Sequence, residues 1–304
     1  MSYEMEMDKH IYVGSSSNRV DGRRKVMGEA HYSSEILLPR VTHAVLVQST
    51  IANGRIMSID TQAAEAAPGV LGIMTHENVP QLHPFPSMQS LGPGPVAPLQ
   101  DTLIHYDGQH IGVIIAATLE QATYAATLIH VEYETETPRT DLETERAAAF
   151  APGGSASADT VRGNVDQALA GADVHLDHLY TTPTEHNNPM SPFATVAVWE
   201  GDQLTVYDST QWVQNVRDTL AVTLGIPASN VRVLSHFVGG AFGAGLRAWP
   251  HIVLTALAAR HVKRPVKLVL TRAQMYTSVG YRPQTAQRIA LGATREGKLC
   301  FCYY

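Results

Sequence analysis

Four glycines lie within one short stretch of this 304-residue sequence, residues 239–245, which read GGAFGAG. Glycine has no Cβ, so its backbone can adopt a positive φ and can lie close to a bound group. A glycine loop between a strand and a helix also presents backbone N–H groups, which bind anions and other acceptors. The stretch therefore predicts close binding of an anion or a polar cofactor by main-chain amides.

Two other interpretations of this loop are open. It can be purely structural, because strand-to-helix turns also use glycine to solve packing problems. It can also be a nucleotide loop, because Gly243–Ala248 fits the pattern G-x-G-x-x-A. Thr271 and Arg272 stand where the dinucleotide fold has an acidic residue, and an arginine suits a 2′-phosphate. An NADP-binding Rossmann protein is therefore an alternative.

The elements around the loop are predicted from their hydrophobic patterns. Val231–Val238 is rich in β-branched and aromatic residues and predicts a strand before the loop. Pro250 suits the first position of a helix, and the apolar residues that follow it predict that this helix is buried. Val266–Leu270 predicts the next strand.

A second polar candidate, Gln211, precedes an earlier stretch of helical spacing. Residues 193–208 predict a β-hairpin, and Ser209 or Thr210 is expected to cap a helix that Gln211 opens. Gly225 is expected to end that helix. Ligands of α/β layers bind beyond the carboxyl ends of strands, so we expect Gln211 and the glycine loop at one sheet edge.

The rest of the chain predicts an α+β protein in successive parts. The parts are a flexible lead-in at 1–18, an α/β region at 19–140, a linker at 141–161 and a second region at 162–304. The predicted strands of the first region are residues 43–49, 54–60, 70–75, 111–117 and 131–135. A helix is predicted at 119–129, and the Pro- and Gly-rich residues 80–100 predict a long loop. The chain stops at Tyr304 just after a hairpin turn, which predicts a truncated chain without the returning strand.

Composition narrows the class of protein. The net charge is −6 and no basic run is present, which argues against a nucleic-acid-binding protein. No stretch is apolar enough to span a membrane and the N-terminus is not a signal peptide, so a cytoplasmic location is expected. The two cysteines, Cys300 and Cys302, cannot ligate an iron–sulfur cluster by themselves, so redox chemistry would pass electrons to a partner.

Common hydrolase motifs do not occur, since neither G-x-S-x-G nor H-E-x-x-H is found. His175 and His178 would point to opposite faces of a strand, so no metal site is predicted there. The adjacent Glu185 and His186 suit a surface loop better than an acid–base pair.

Several motifs resemble the molybdenum-binding large subunit of the xanthine dehydrogenase/aldehyde oxidase family. In chain order they are Arg19–Gly22, Ala67–Val70, Asp107–Gln109, Glu185–Thr195, Asp208–Gln211, Gly239–Gly243, Lys263–Lys267 and Gly280–Pro283. The resemblance implies an N-terminal hammerhead-type α/β domain. It further implies that the first, incomplete part of a molybdopterin-binding α+β domain follows.

The resemblance also implies a cofactor and roles for residues. The cofactor would be molybdenum–molybdopterin, in the cytosine dinucleotide form. Gln211 matches a family glutamine that hydrogen-bonds an oxygen ligand near the metal, and Gly240, Ala241, Phe242 and Gly243 match the loop whose backbone lies against the cofactor. A [2Fe–2S] subunit and an FAD subunit would be the partners.

Departures from the family pattern narrow the expected substrate. Gly245 and Leu246 replace a Lys-Glu pair, and Ser191 stands where Glu is common. Leu246 would contact the substrate but cannot form a hydrogen bond, so an aldehyde or an apolar N-heterocycle is expected rather than xanthine. The family's general-base glutamate has no match here, so the isolated chain is expected to be inactive. A truncated, non-catalytic scaffold that only binds partner subunits is an alternative.

Overall fold

The computed structural model describes residues 16–84, 97–150 and 162–303. The chain divides into two compact units, Met1–His31 and Tyr32–Tyr304. The described part of the first unit contains helix α1, Gly22–Val26, which follows the predicted turn at Arg19. Parts of the predicted lead-in, of the 80–100 loop and of the 141–161 linker lie outside the described residues.

The second unit combines strands with helices. Its strands are β1 Thr42–Gln48, β2 Gly54–Asp60, β3 Val70–Thr75, β4 Leu103–Ile104, β5 His110–Ala116, β6 His130–Thr135, β7 Val174–Thr182, β8 Glu185–His186, β9 Ala194–Glu200, β10 Gln203–Asp208, β11 Val231–Leu234, β12 Val266–Val269, β13 Tyr281–Arg282, β14 Thr285–Ala293 and β15 Leu299–Tyr303. Its helices are α2 Gln62–Glu65, α3 Leu119–Ala126, α4 Leu142–Glu145, α5 Val165–Ala170, α6 Val213–Leu224, α7 Pro250–Val262 and α8 Gln274–Thr277. The predicted α+β class is confirmed.

One seven-stranded sheet contains strands from both predicted regions, in the order β11-β10-β9-β12-β1-β5-β3. The two groups of strands meet where β1 pairs with β12 in parallel, with Thr42 opposite Val266 and Ala44 opposite Leu268. The Thr42 hydroxyl strengthens this junction, because it donates a hydrogen bond to the Pro265 carbonyl at 2.9 Å. The predicted boundary at 141–161 therefore does not separate two independent sheets.

Two hairpins are formed, of which the first was predicted. β9 and β10 pair in antiparallel register across a tight turn, in which Gly201 has a φ of 59°. β14 pairs with β15, with Leu291 opposite Cys302, so the returning strand that we expected to be missing is present. The expectation of a half-formed hairpin is therefore wrong, because residues 299–303 supply the backbone partners.

The main core lies between this sheet and α7. All ten residues from Pro250 to Ala259 are buried, as the apolar pattern predicts. Leu254 and Leu268 share this core with Leu46 and Ile115 from the first predicted region. Each large aliphatic side chain removed from water contributes about 1.5–3 kcal/mol, so the shared core stabilises both groups of strands together.

The imidazole rings of two histidines are buried without hydrogen-bond partners among the described residues. They are His110 on β5 and His251 in α7. Burial lowers the pKa of His251 from an ordinary 6.5 to about 3, with a smaller effect of nearby His110. Burial also lowers the pKa of His110 to about 4. The folded state takes up these protons less readily than the unfolded chain, so stability present above pH 6.5 is lost as the pH falls.

We expect His251→Leu to make the fold less sensitive to acid, because leucine cannot be protonated. Below pH 6.5, wild type should lose up to about 1.4 kcal/mol per pH unit more unfolding free energy than the variant. Urea unfolding at a series of pH values measures the difference. His175→Leu, on the exposed strand β7, is the matched control and should follow wild type. Equal pH slopes for wild type and His251→Leu would contradict the interpretation.

Candidate functional site

The glycine loop connects the end of β11 to the start of α7. The strand ends at Leu234, earlier than predicted, and a 3₁₀ turn at Ala244–Leu246 precedes the helix. Phe242 has a φ of 53° and Gly243 a φ of 95°, so the chain is left-handed at two successive residues. The left-handed region is unfavourable for a residue with a Cβ. The Phe242 side chain is 65% exposed and therefore does not anchor this turn in the core.

Successive backbone amides of the loop are not used within the described part of the chain. The N–H groups of Gly240, Ala241, Phe242 and Gly243 donate no hydrogen bond to any described residue. By contrast, Ala244 N–H donates to the Ala241 carbonyl at 2.9 Å and closes the turn. A row of free amide donors suits an acceptor-rich ligand such as a phosphate or a pterin ring.

Gln211 lies directly against this loop. Its backbone N–H donates to the Gly245 carbonyl at 2.9 Å, and the Thr210 hydroxyl donates to the same oxygen at 3.1 Å. A Cβ added to Gly245 would lie 3.2 Å from Gln211 Cγ and 3.3 Å from Gln211 Oε1. The structure thus brings together the two elements that the sequence analysis placed at one sheet edge.

The predicted start of the following helix is wrong. α6 begins at Val213 with Trp212 at the N-cap, and no side-chain cap is formed. The Thr210 hydroxyl instead accepts a hydrogen bond from the Trp212 N–H at 3.0 Å. Because Thr210 and Gln211 are held by Gly245, the chain cannot enter the helix until two residues later. The predicted end is confirmed, since Gly225 is left-handed with a φ of 63°.

A buried carboxyl lies just before Gln211. Asp208, at the end of β10, is 3% exposed and accepts a hydrogen bond from the Thr195 hydroxyl at 2.5 Å. Burial raises the pKa of Asp208 from 3.8 to about 7, although the hydrogen bonds from Thr195 and from the Ser209 backbone oppose the shift. The sequence analysis did not single out Asp208 for a role. Its position at the end of a predicted hairpin strand could have indicated a buried carboxyl.

Two further side chains contact the loop and were not predicted as site residues. Asn187 Nδ2 donates to the Phe242 carbonyl at 2.8 Å, and Arg282 Nη1 donates to Asn187 Oδ1 at 2.9 Å. Both residues lie within or beside motifs that carried the family resemblance. The pairing of β8 with β13, which brings these two segments together, involves only two residues on each strand and was not predictable from periodicity.

The Rossmann alternative is wrong. β11 and β12 flank the glycine loop and α7, yet β10 and β9 separate them in the sheet. The dinucleotide fold needs these two strands to be parallel neighbours. Arg272 is also occupied, because its guanidinium donates to Asn188 Oδ1 and to the Pro189 and Met190 carbonyls, each at 2.7 Å.

A cavity of about 560 Å³ lies beside these elements but does not contain the predicted residues. Its lining includes His186 and Tyr281, the neighbours of Asn187 and Arg282, but not Gln211 or residues 240–246. Of those predicted residues, Phe242 and Leu246 are exposed, whereas Ala241 is buried. The roles of these residues toward a ligand therefore stay predictions.

No helix of the described residues is long and apolar enough to cross a membrane. Within the same residues, no group of three or more His, Cys, Asp or Glu side chains is arranged to hold a metal ion.

Comparison with known families assigns the class of protein. A molybdopterin cofactor-binding domain model matches residues 149–303, and an aldehyde oxidase and xanthine dehydrogenase a/b hammerhead domain model matches residues 27–137. The chain belongs to the aldehyde oxidase/xanthine dehydrogenase family of molybdenum-binding subunits. The predicted order of a hammerhead domain followed by a molybdopterin-binding domain is confirmed.

Curated relatives and solved structures agree with this assignment. The aldehyde oxidoreductase molybdenum-binding subunit PaoC of Escherichia coli (strain K12) is 37% identical over 300 residues, which cover 97% of this chain and 40% of PaoC. A 6-hydroxypseudooxynicotine dehydrogenase complex subunit gamma of Paenarthrobacter nicotinovorans is 29% identical, with 97% and 39% covered. Quinoline 2-oxidoreductase from Pseudomonas putida 86 has the same fold, with a TM-score of 0.82 at 24% identity. The match covers 94% of this chain and 38% of that protein's chain. The chain thus spans about two fifths of the length of these proteins.

We expect Gly245→Ala to destabilise the protein by about 1–2 kcal/mol, because the new methyl group overpacks the contact with Gln211. Either Gln211 or the loop must shift by a few tenths of an ångström. Urea unfolding measures the loss. Gly171→Ala is the control, since its Cβ would meet no atom nearer than 3.5 Å. Equal losses for both variants would show that the close approach is unimportant.

We expect Asp208→Asn to gain stability relative to wild type as the pH rises. The folded carboxyl keeps its proton up to about pH 7, whereas the unfolded one releases it near 3.8. Wild type therefore loses up to about 1.4 kcal/mol per pH unit across this window, and the asparagine variant does not. Urea unfolding from acidic to neutral pH measures the difference, with Asp202→Asn in the exposed hairpin turn as control. A constant free-energy difference between Asp208→Asn and wild type would contradict the prediction.

Proposed function

We propose that this chain forms one wall of the molybdopterin site in the large subunit of a molybdenum hydroxylase. The enzyme oxidises an aldehyde or an N-heterocycle with oxygen derived from water and passes electrons to an iron–sulfur partner. One observation carries the proposal: Gln211 contacts Gly245, in the same loop whose amides at residues 240–243 donate to no described residue. Membership of the family supports it.

The residues of the chain have separate tasks in this proposal. The amides of Gly240–Gly243 hold acceptor atoms of the cofactor, and the left-handed turn leaves room for close approach. Gln211 donates a hydrogen bond from its uncharged side-chain amide toward an oxygen near the metal. When bound, the cofactor supplies the redox-active metal at which the substrate is oxidised.

Leu246 sets the substrate class in this proposal. It follows the loop, is 39% exposed and offers only an apolar surface. A polar substrate edge placed against it would lose hydrogen bonds to water without replacement, which is costly. An aldehyde or an apolar heterocycle avoids that cost. The name of the relative PaoC, an aldehyde oxidoreductase subunit, agrees with this class.

The proposal includes a cofactor form, partners and a location. We assign the cytosine dinucleotide form of molybdopterin, a [2Fe–2S] subunit and an FAD subunit, in the cytoplasm. The names of two relatives, a molybdenum-binding subunit and a complex subunit, support assembly with other chains. The two cysteines of this sequence cannot supply the four thiolates that such a cluster needs.

The test uses the whole large subunit, co-expressed and purified with its iron–sulfur and flavin partners. Metal analysis and pterin fluorescence should find stoichiometric molybdenum and pterin. We expect Gln211→Ala to keep most of the metal but to lower kcat for an aldehyde by on the order of tenfold to a hundredfold, as for loss of one transition-state hydrogen bond. Gln203→Ala, at the exposed first residue of β10, is the matched control.

Two outcomes would contradict the proposal. A complex without molybdenum or pterin would favour the non-catalytic scaffold, particularly if the iron–sulfur subunit still co-purifies. Wild-type kcat in Gln211→Ala would remove Gln211 from the reaction.

A further inference from the structure

Two side chains converge on one backbone oxygen of the glycine loop. The Phe242 carbonyl accepts from Asn187 Nδ2 at 2.8 Å and from Arg282 Nη2 at 3.4 Å. Arg282 Nη1 donates to Asn187 Oδ1 at 2.9 Å, so the three groups form a closed ring of hydrogen bonds. We call Asn187 and Arg282 the carbonyl clamp.

The clamp is itself held by secondary structure. β8 pairs with β13, which places Arg282 opposite Glu185, and Asn187 follows β8 directly. Beyond Asn187, the carbonyls of Pro189 and Met190 accept hydrogen bonds from Arg272 at 2.7 Å. Both clamp residues therefore extend from anchored backbone, although neither is in the core.

The clamped carbonyl belongs to the strained part of the loop. Phe242 has a Cβ and a φ of 53°, a conformation that persists only where the surroundings hold it. The Phe242 side chain is mostly exposed and cannot supply that restraint. Hydrogen bonds to its carbonyl can, because they fix the orientation of the peptide plane that joins Phe242 to Gly243.

Fixing this peptide plane also fixes the direction of the next amide. In a trans peptide the C=O and the following N–H point to opposite sides. With the Phe242 oxygen held toward Asn187 and Arg282, the Gly243 N–H points away from both of them. That N–H donates to no described residue and remains available to a ligand.

We propose that Asn187 and Arg282 are positioning residues that aim the Gly243 N–H at the cofactor before the cofactor binds. This inference rests on the proposed function. A preset amide avoids the entropy cost of ordering the loop on binding, so the clamp raises affinity without touching the cofactor. Without the clamp, the Phe242–Gly243 peptide can rotate and present its carbonyl in place of the amide.

The first experiment measures the environment of the Gly243 amide in the absence of any cofactor. In the 304-residue chain with isotope-labelled glycine, the Gly243 amide resonance should shift or broaden in Asn187→Leu and in Arg282→Lys. Asn53→Leu is the matched control: the same substitution removes a side-chain hydrogen bond to a backbone carbonyl, that of Thr137 at 3.2 Å, and none to Phe242. An unchanged Gly243 resonance in both clamp variants would overturn the proposal, whatever their stability.

The second experiment measures cofactor retention in the complex with partner subunits. Molybdenum per large subunit after dialysis should fall roughly tenfold in Asn187→Leu, as expected for the loss of one hydrogen bond, and should be unchanged in Asn53→Leu. Normal retention together with a shifted Gly243 resonance would overturn the link to the cofactor. Absence of molybdenum from the wild-type complex would instead overturn the proposed function, while the resonance would still decide whether the clamp orients the loop.

Discussion

The burial of α7 determines where the glycine loop must lie. The helix is buried from Pro250 to Ala259 and packs against β9 and β12 near the middle of the sheet and against β3 and β5 beyond them. The strand before the loop, β11, is at the opposite edge. Residues 235–249 must therefore pass the carboxyl end of β10, where Gln211 begins the next segment. The contact between Gln211 and Gly245 is a consequence of that route.

The route also explains the composition of the loop. Gly245 has no Cβ because Gln211 occupies the space that a Cβ would need. Gly243 follows a left-handed Phe242 and is itself left-handed, so the chain reverses within two residues. A short 3₁₀ turn, Ala244–Leu246, then leads to Pro250 at the start of α7. Proline suits the first helical position because it has no N–H that needs a partner. In the same turn, the backbone amides of residues 240–243 donate to no described residue.

Local features of the fold were predictable from the sequence, whereas long-range ones were not. The bounds of β2 and β3 agree with the prediction residue for residue, and Pro250 and Gly225 mark helix ends as expected. These features depend on residues close in sequence. The pairing of β1 with β12 joins residues that are more than two hundred positions apart, and no periodic pattern encodes such a choice.

The candidate site shows the same division. The glycine loop and Gln211 could be named from residue types, because main-chain amides and a side-chain amide have evident chemistry. The helix start at Val213 could not be predicted, because the Thr210 hydroxyl donates to the Gly245 carbonyl and does not cap a helix at Gln211. Asn187 contacts the loop through the carbonyls of Ala241 and Phe242, and it lies there because β8 and β13 are paired.

The charges around the loop favour a ligand rich in acceptors. The loop presents N–H groups, and Arg282 brings a cation to the Phe242 carbonyl on one side. Asp208 lies three residues before Gln211, and burial raises its pKa to about 7, so a large fraction of it is neutral near physiological pH. A fully ionised aspartate at that position would repel a phosphate-bearing cofactor. The burial of Asp208 thus reduces the negative charge carried by the segment that leads into Gln211.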